Sequence, residues 1–89
     1  MKITAQHILV NHEYEILDLQ KKLSEGAAFE DLARDFSECP SGKEGGSLGE
    51  FGKGMMVPSF EKAAFQLLPG EVSGIVRTQF GFHLIKRTR

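Results

Sequence analysis

Apolar and polar residues alternate over the first ten positions, and a period of two predicts a β-strand. The residues fall on two faces, the first odd-numbered and the second even-numbered: Ile3, Ala5, His7 and Leu9; Thr4, Gln6, Ile8 and Val10. Both faces are apolar near the end of the strand, so we expect a central strand. Asn11-His12 breaks the pattern and can cap the next element.

Two amphipathic helices are predicted next, over residues 13–25 and 28–36. Their apolar positions recur at helical spacing: Ile16, Leu19 and Leu23, with Leu17 beside them, in the first; Phe29, Leu32, Ala33 and Phe36 in the second. Gly26 follows the first pattern and is a plausible left-handed stop.

Residues 37–54 contain six of the ten glycines, at positions 42, 45, 46, 49, 52 and 54. This composition predicts a loop, with one helical turn near 41–44 and a short strand around 48–51. Long loops in small domains are usually functional, so we expect this segment to contribute to a site.

Pro58 opens a third main helix, because proline is tolerated in a first turn. Its apolar face consists of Phe60, Ala63, Ala64 and Leu67, and Pro69-Gly70 ends it. Two strands follow, over 72–78 and 82–88, joined by a hairpin at 79–81. Counting the helical turn, the order β-α-α-α-β-α-β-β predicts an α+β fold with a mainly antiparallel four-stranded sheet.

The chain has 89 residues, so we expect one domain over 1–89. Hydrophobic residues make up 40% and charged residues 26%, which is typical of a globular protein. A net charge of −1 gives no electrostatic reason to expect nucleic-acid binding. No apolar run of ~18 residues predicts a membrane span.

Cys39 is the single cysteine, so no internal disulfide forms, and a lone thiol suits a reducing compartment. The first residues are too polar for a signal peptide. We therefore expect a cytoplasmic protein, and, since nothing indicates an oligomer, a monomer.

His7 and His83 stand inside predicted strands, each on a face with apolar neighbours. If the two strands pair, the histidines can be cross-strand neighbours, mostly neutral and sharing hydrogen bonds. From the residues alone, two satisfied core histidines are the simpler interpretation.

Cys39 has two interpretations, a small buried hydrophobe or a nucleophile. Glu38 and the preceding helix end both disfavour the thiolate. A metal site from His7, His12, Cys39 and His83 would lack the close ligand pairs of zinc motifs. The glycine stretch lacks a phosphate-binding motif, and we expect neither a metal nor a cofactor.

Apolar side chains cluster where the glycine stretch meets the third helix: Leu48, Phe51, Met55, Met56, Val57 and Phe60. Such residues can belong to the core or line an adaptable apolar pocket.

Five segments resemble the parvulin-type peptidyl-prolyl cis/trans isomerases. They are Gln6–Val10 (QHILV), Ser37–Phe51 (SECPSGKEGGSLGEF), Met56–Glu61 (MVPSFE), Gly70–Ser73 (GEVS) and Thr78–Ile85 (TQFGFHLI). The segments occur in the family's order and span essentially the whole chain.

The resemblance implies the FKBP-like superfold, with the first and last strands adjacent at the centre of the sheet. It implies isomerase activity on proline-containing segments of client proteins. Its catalytic positions fall on His7, Cys39, Thr78 and His83. Its proline pocket falls on Leu48, Met56 and Phe60, with Phe51 beneath them.

One segment departs from the phosphate-directed members of this family, which carry a basic loop after the first strand. Here residues 11–15 are short and acidic, so we expect peptides with an uncharged residue before proline to be preferred. Two other functions stay open: a peptide-holding chaperone module with weak or no catalysis, and a cysteine hydrolase or redox protein.

Overall fold

Four strands form one antiparallel sheet, and helices cover both of its faces in a computed structural model that describes all 89 residues. The elements are β1 (Lys2–Val10), α1 (Glu13–Ser24), α2 (Phe29–Phe36), a 3₁₀ helix (Pro40–Glu44), β2 (Ser47–Gly52), α3 (Pro58–Gln66), β3 (Val76–Thr78) and β4 (Gly81–Arg87). The predicted α+β class and element order are confirmed. None of the helices combines the length and the apolar character needed to cross a membrane.

The strand order is β2-β1-β4-β3, so the first and last strands are neighbours at the centre, as expected. In the β1–β4 pair, His7 stands opposite Ile85 and Leu9 stands opposite His83. The two histidines are therefore diagonal neighbours on one face of the sheet, two positions apart in register.

Two apolar clusters lie on opposite faces of the sheet, and β1 is therefore buried on both sides. Ile8 and Val10 pack with α1 and α2, while Ile3 and Ala5 pack with α3 and β2. The odd-numbered face, which also carries His7, thus looks toward the helix that begins at Pro58. This arrangement brings the histidines and the apolar junction residues to the same side of the sheet.

The predicted stop of α1 at Gly26 is confirmed, whereas the predicted cap at Asn11-His12 is only partly so. Gly26 has a φ of 101°, its N–H donates to the Leu23 carbonyl, and the Ala27 N–H donates to the Lys22 carbonyl. These two bonds form a Schellman motif, which requires the left-handed residue that glycine provides. At the start, His12 is the N-cap residue, but no side chain makes a capping hydrogen bond.

The strand predicted over 72–78 is wrong in its first half. Only Val76–Thr78 pair continuously with β4, and Val72 forms an isolated bridge with Lys86. The Ser73 hydroxyl oxygen accepts the Ile85 N–H at 3.0 Å, taking the place of a strand carbonyl. A serine side chain that competes with the ladder interrupts the strand.

Smaller differences concern a turn, a helix end and two side chains. The hairpin has two loop residues, because Gly81 already pairs with Thr78. The third helix ends at Gln66, before Pro69-Gly70, because Leu67 is extended. Leu17 and Phe36 were assigned to apolar faces but are exposed, and the Lys22 ammonium covers the Phe36 ring.

Candidate active site

Two buried histidines form the centre of the site. His7 is 5% exposed and His83 is 4% exposed. Their Nδ1 atoms lie 3.2 Å apart, and their rings are nearly parallel at 19°. The sequence left open whether they belong to the core or to a pocket. They are buried and hydrogen-bonded, and they also line the largest cavity of the molecule.

Burial keeps both rings neutral at pH 7. Desolvation, with a smaller contribution from neighbouring His83, lowers the pKa of His7 from 6.5 to about 4. Desolvation also lowers the pKa of His83. A neutral ring has one N–H donor and one acceptor nitrogen, so the pair can share a single hydrogen bond.

Hydrogen bonds extend this pair in both directions. Beyond His83, its Nε2 lies 2.7 Å from Thr78 Oγ1. Beyond His7, its Nε2 lies 3.1 Å from Ser41 Oγ. The Ser41 hydroxyl in turn donates to Cys39 Sγ at 3.2 Å. The structure thus brings all four predicted polar site residues together, and adds Ser41 between two of them.

The partners of these side chains determine which atom donates and which accepts in each hydrogen bond. Because the Ser41 hydroxyl donates to sulfur, its oxygen receives the His7 Nε2–H. The His7 Nδ1 then accepts the His83 Nδ1–H, and the His83 Nε2 accepts the Thr78 hydroxyl. The Phe80 backbone N–H donates to the Thr78 oxygen at 3.1 Å. Each ring N–H and each hydroxyl of the network has an acceptor while both rings stay neutral.

The segment after α2 is fastened to β1, and this places Cys39 at the site. The Glu38 N–H donates to the Leu9 carbonyl at 2.7 Å, and the Leu9 N–H donates to Ser37 Oγ. Farther along, the His7 N–H donates to the Gly46 carbonyl at 2.9 Å. A Cβ at Gly46 would collide with the His7 carbonyl oxygen, so this approach requires glycine.

The position of Cys39 corrects one premise of the sequence argument. Two residues separate it from the end of α2, and it directly precedes the 3₁₀ helix as its N-cap residue. The negative end of α2 therefore does not adjoin the thiol. Cys39 is half-buried and free.

An apolar cavity of about 400 Å³ opens beside the histidines. Its lining consists of His7, Leu9, Cys39, Leu48, Met55, Met56, Val57, Phe60, Phe80 and His83. The predicted pocket residues Leu48, Met56 and Phe60 are among them. Thr78 and Phe51 are not: Thr78 bonds to His83, and Phe51 is buried.

Phe60 connects the pocket to the histidines. Its ring meets His7 and His83 edge to face, with centroids 5.5 Å and 5.4 Å away. Phe51 lies against Phe60 at 6.4 Å, in the supporting position expected for it. Edge-to-face contacts of this kind hold aromatic rings in a defined orientation.

Sequence reasoning missed several residues of this region. Ser41 was assigned to a helical turn, and Leu9 and Phe80 were not expected at the cavity. A polar cleft on the other side of Cys39 was also missed; its lining includes Arg34, Lys43 and Glu38. A serine two residues after the cysteine is the one signal that could have indicated Ser41.

No three His, Cys, Asp or Glu side chains converge in an arrangement that could hold a metal ion. His12, considered as a ligand from the sequence, instead stacks on Tyr14.

A protein-family model described as Rotamase, the PPIC-type PPIASE domain, matches residues 7–89. The foldase protein PrsA of Bacillus subtilis is 50% identical over 88 residues, which cover 98% of this chain and 30% of that protein. The chain therefore spans about a third of the length of such curated relatives.

Solved structures agree with this match. The crystal structure of PrsA from Bacillus subtilis superposes with a TM-score of 0.96 at 48% identity, covering 99% of this chain and 35% of that one. The solution structure of NmPin, the parvuline of Nitrosopumilus maritimus, gives 0.88 at 47% identity and covers 99% and 96%. The second comparison spans nearly all of both chains.

Proposed function

Because the chain belongs to the PPIC-type peptidyl-prolyl cis/trans isomerases, the parvulins, we propose that it catalyses rotation about X–Pro bonds in client proteins and so assists their folding. The relative from Bacillus subtilis is named a foldase, which supports the second part of this proposal. The substrates are proline-containing peptide segments.

The reaction breaks no bond, and its barrier comes from amide resonance. Rotation about a peptide bond costs ~18–20 kcal/mol, and the uncatalysed X–Pro exchange takes tens to hundreds of seconds. A catalyst has to bind the twisted amide better than either planar form. Removing water from the carbonyl disfavours the charge-separated planar amide, and an apolar cavity provides that removal.

One observation carries the proposal: a continuous hydrogen-bonded chain borders an apolar cavity. Leu48, Met56 and Phe60 provide apolar surface for the prolyl ring. The hydrogen-bonded side chains from Thr78 to Cys39 provide fixed dipoles near the substrate carbonyl, and such dipoles act strongly where water is excluded. In this proposal His7 and His83 hold the geometry, and Cys39 faces the substrate.

Covalent catalysis by Cys39 is disfavoured by the same geometry. A hydrolase needs a base that takes the thiol proton, and His7, with a pKa of about 4, is a weak base at neutral pH. The hydrogen bonds link the His7 ring to Cys39 through the Ser41 hydroxyl and not directly. Rapid alkylation of Cys39 near neutral pH would instead support a thiolate chemistry.

A peptide-holding module is the second candidate, and the size and apolar lining of the cavity favour it. Binding an extended apolar segment needs no catalytic dipoles. A protease-coupled assay with proline tetrapeptides separates the two functions. Exchange faster than the uncatalysed rate supports catalysis, whereas peptide binding with an unchanged rate supports the holding module.

The proposal also covers the cellular location of the protein and its monomeric state. The half-buried free thiol of Cys39 suits a reducing, cytoplasmic location, and the chain acts as a monomer that engages neither nucleic acid nor membrane. Cell fractionation tests the location, and sedimentation velocity tests the monomeric state.

A further inference from the structure

Two exposed apolar side chains form the lip of the cavity. Met55 is 63% exposed and Phe80 is 60% exposed, yet both line the cavity. Phe60, in contrast, is buried at its floor. If the prolyl ring contacts Phe60 at the floor, as proposed above, then Met55 and Phe80 contact the residues next to proline in the bound peptide.

The volume of the cavity supports this division. A water molecule in the liquid occupies about 30 Å³, so a cavity of about 400 Å³ has room for far more than the three side-chain carbons of proline. A side chain next to proline in the peptide therefore shares the cavity. Methionine and phenylalanine at the lip favour an apolar side chain there.

Met55 is the most exposed of the three sulfur-containing residues that line the cavity. Its side chain is largely exposed, whereas Met56 and Cys39 are half-buried and the Cys39 sulfur already accepts the Ser41 hydroxyl. The Gly52 N–H donates to Met55 Sδ at 3.3 Å, which fixes the direction of the side chain at the lip. A thioether has two lone pairs, so one remains for an oxidant.

We propose that Met55 is an oxidation site that sets the selectivity of the cavity: conversion to the sulfoxide reduces its preference for peptides with an apolar residue beside proline. The proposal rests on the proposed function. A peroxide is the oxidant. The sulfur lone pair forms the S–O bond to one peroxide oxygen while the O–O bond breaks. The proton of the transferred oxygen passes to the other oxygen, which leaves as water or an alcohol. The sulfur is oxidised by two electrons, and sulfoxide reductases reverse the change.

The expected effect is a change of selectivity and not a general loss. A sulfoxide oxygen at the lip has to lose water when an apolar side chain approaches, and this loss is unfavourable because no hydrogen-bond partner replaces the water. A polar neighbour of proline can hydrogen-bond to that oxygen. We expect the ratio of kcat/KM for Leu-containing over Gln-containing peptides to fall about threefold to tenfold.

The experiment uses the whole chain and two peptide series, with Leu or Gln placed before or after proline. The protein is treated with hydrogen peroxide until peptide mapping shows Met55 sulfoxide, and then with dithiothreitol, which returns a Cys39 sulfenic acid to the thiol. Each variant is compared with its own untreated sample. Met1 is 85% exposed but does not line the cavity, so it reports oxidant exposure.

We expect a fall in the ratio for the wild type in at least one series and a constant ratio for Met55→Leu. Met55→Gln, a polar side chain of similar length, should show the lowered ratio without peroxide. An equal fall in Met55→Leu, or a constant ratio in the wild type after complete Met55 oxidation, would overturn the inference.

Untreated wild type first tests the proposed function with the same peptides. If it turns none of them over, isomerase activity fails, and peptide affinities measured by NMR titration decide the selectivity. In that case an unchanged Leu-over-Gln affinity ratio after oxidation overturns this inference as well.

Discussion

Nε2 of His7 lies 3.1 Å from the Ser41 hydroxyl oxygen, on the opposite side of the ring from the bond to His83. Ser41 therefore fixes which His7 nitrogen carries the proton. This tautomer in turn sets the donor and acceptor of each hydrogen bond from His7 through His83 to Thr78. A residue that acts through a histidine in this way is a positioning residue.

We expect Ser41→Ala to lower kcat/KM about tenfold, because it leaves the buried His7 Nε2–H without its partner. Ser41→Thr keeps the hydroxyl and should recover most of the activity. Ser24→Ala, at the exposed end of α1, is the matched control. Long-range ¹H–¹⁵N spectra report the histidine tautomers, and an unchanged His7 tautomer in Ser41→Ala would contradict the assignment.

The stability of the fold should decrease on mild acidification. The pKa of His7 is about 4 in the folded chain, against 6.5 for an unperturbed histidine. Between these values the unfolded chain binds more protons, so the free energy of unfolding falls as the pH falls through 6.5 toward 4. The slope from His7 is about 1.4 kcal/mol per pH unit, and His83 acts in the same direction.

Urea unfolding at pH 7.0, 6.0 and 5.0 measures this slope. His12→Gln is the control, because His12 is exposed and its loss should leave the profile unchanged. His7→Leu should flatten the profile. An equally steep decline in His7→Leu would assign the pH dependence to other groups.

Replacing His7 tests whether its burial or its polarity maintains the fold. His7→Leu keeps an apolar contact with Phe60 and leaves one His83 N–H unpaired, at a cost of about 1–3 kcal/mol. His7→Asp buries a carboxylate in the same place and should cost about 3 kcal/mol or more. Thermal unfolding followed by circular dichroism compares the two, and equal melting temperatures would contradict this prediction.

Periodicity predicted only the faces on which the two histidines lie. The period of two placed His7 and His83 on faces directed to the core or to a pocket, and the family resemblance implied that the first and last strands are adjacent. The diagonal register that sets Leu9 opposite His83 depends on the loops and could not be derived. Phe80 was missed because the hairpin loop has two residues and not three, which carries that side chain to the lip.

Two features that the sequence did not predict share one cause, the use of serine hydroxyls in place of backbone hydrogen-bond acceptors. The Ser73 hydroxyl replaces a strand carbonyl, and the Ser37 hydroxyl accepts the Leu9 N–H. Local patterns of apolar residues carry no information about such partners, because the partner is set by tertiary approach. The Ser41 hydroxyl bridges two side chains, His7 and Cys39, and tertiary approach sets these partners too.

Peptides with an uncharged residue before proline should be turned over faster than phosphorylated ones. No lysine or arginine lines the cavity, and Arg34 and Lys43 share the separate cleft at Cys39 with Glu38. Arg34 is also paired with Asp31 at 2.7 Å. The measurement compares kcat/KM for Ala-Pro, Leu-Pro and phosphoserine-Pro peptides. Faster turnover of the phosphoserine peptide, lost in Arg34→Ala, would show that the cleft binds phosphate.

Cys39 gives the sharpest test of how the reaction proceeds. Its sulfur accepts the Ser41 hydroxyl, and an aspartate carboxylate can accept the same bond. We therefore expect Cys39→Asp to keep substantial isomerase activity. We expect Cys39→Ser to keep the hydrogen bond from the Ser41 hydroxyl. Cys39→Ala should lose part of the activity with the fold unchanged. A tenfold loss would correspond to about 1.4 kcal/mol of transition-state stabilisation.

The Cys39 variants are compared by kcat/KM at one pH, with circular dichroism to establish the fold. Neither alanine nor aspartate replaces a thiol nucleophile, whereas aspartate does replace a hydrogen-bond acceptor, so the order of the variants separates the two mechanisms. Background activity in all three variants with native spectra would require the covalent mechanism, and so would an acyl-enzyme trapped for mass spectrometry. Isomerisation itself needs no acyl intermediate, and the neutral His7 ring has little power to form one at pH 7.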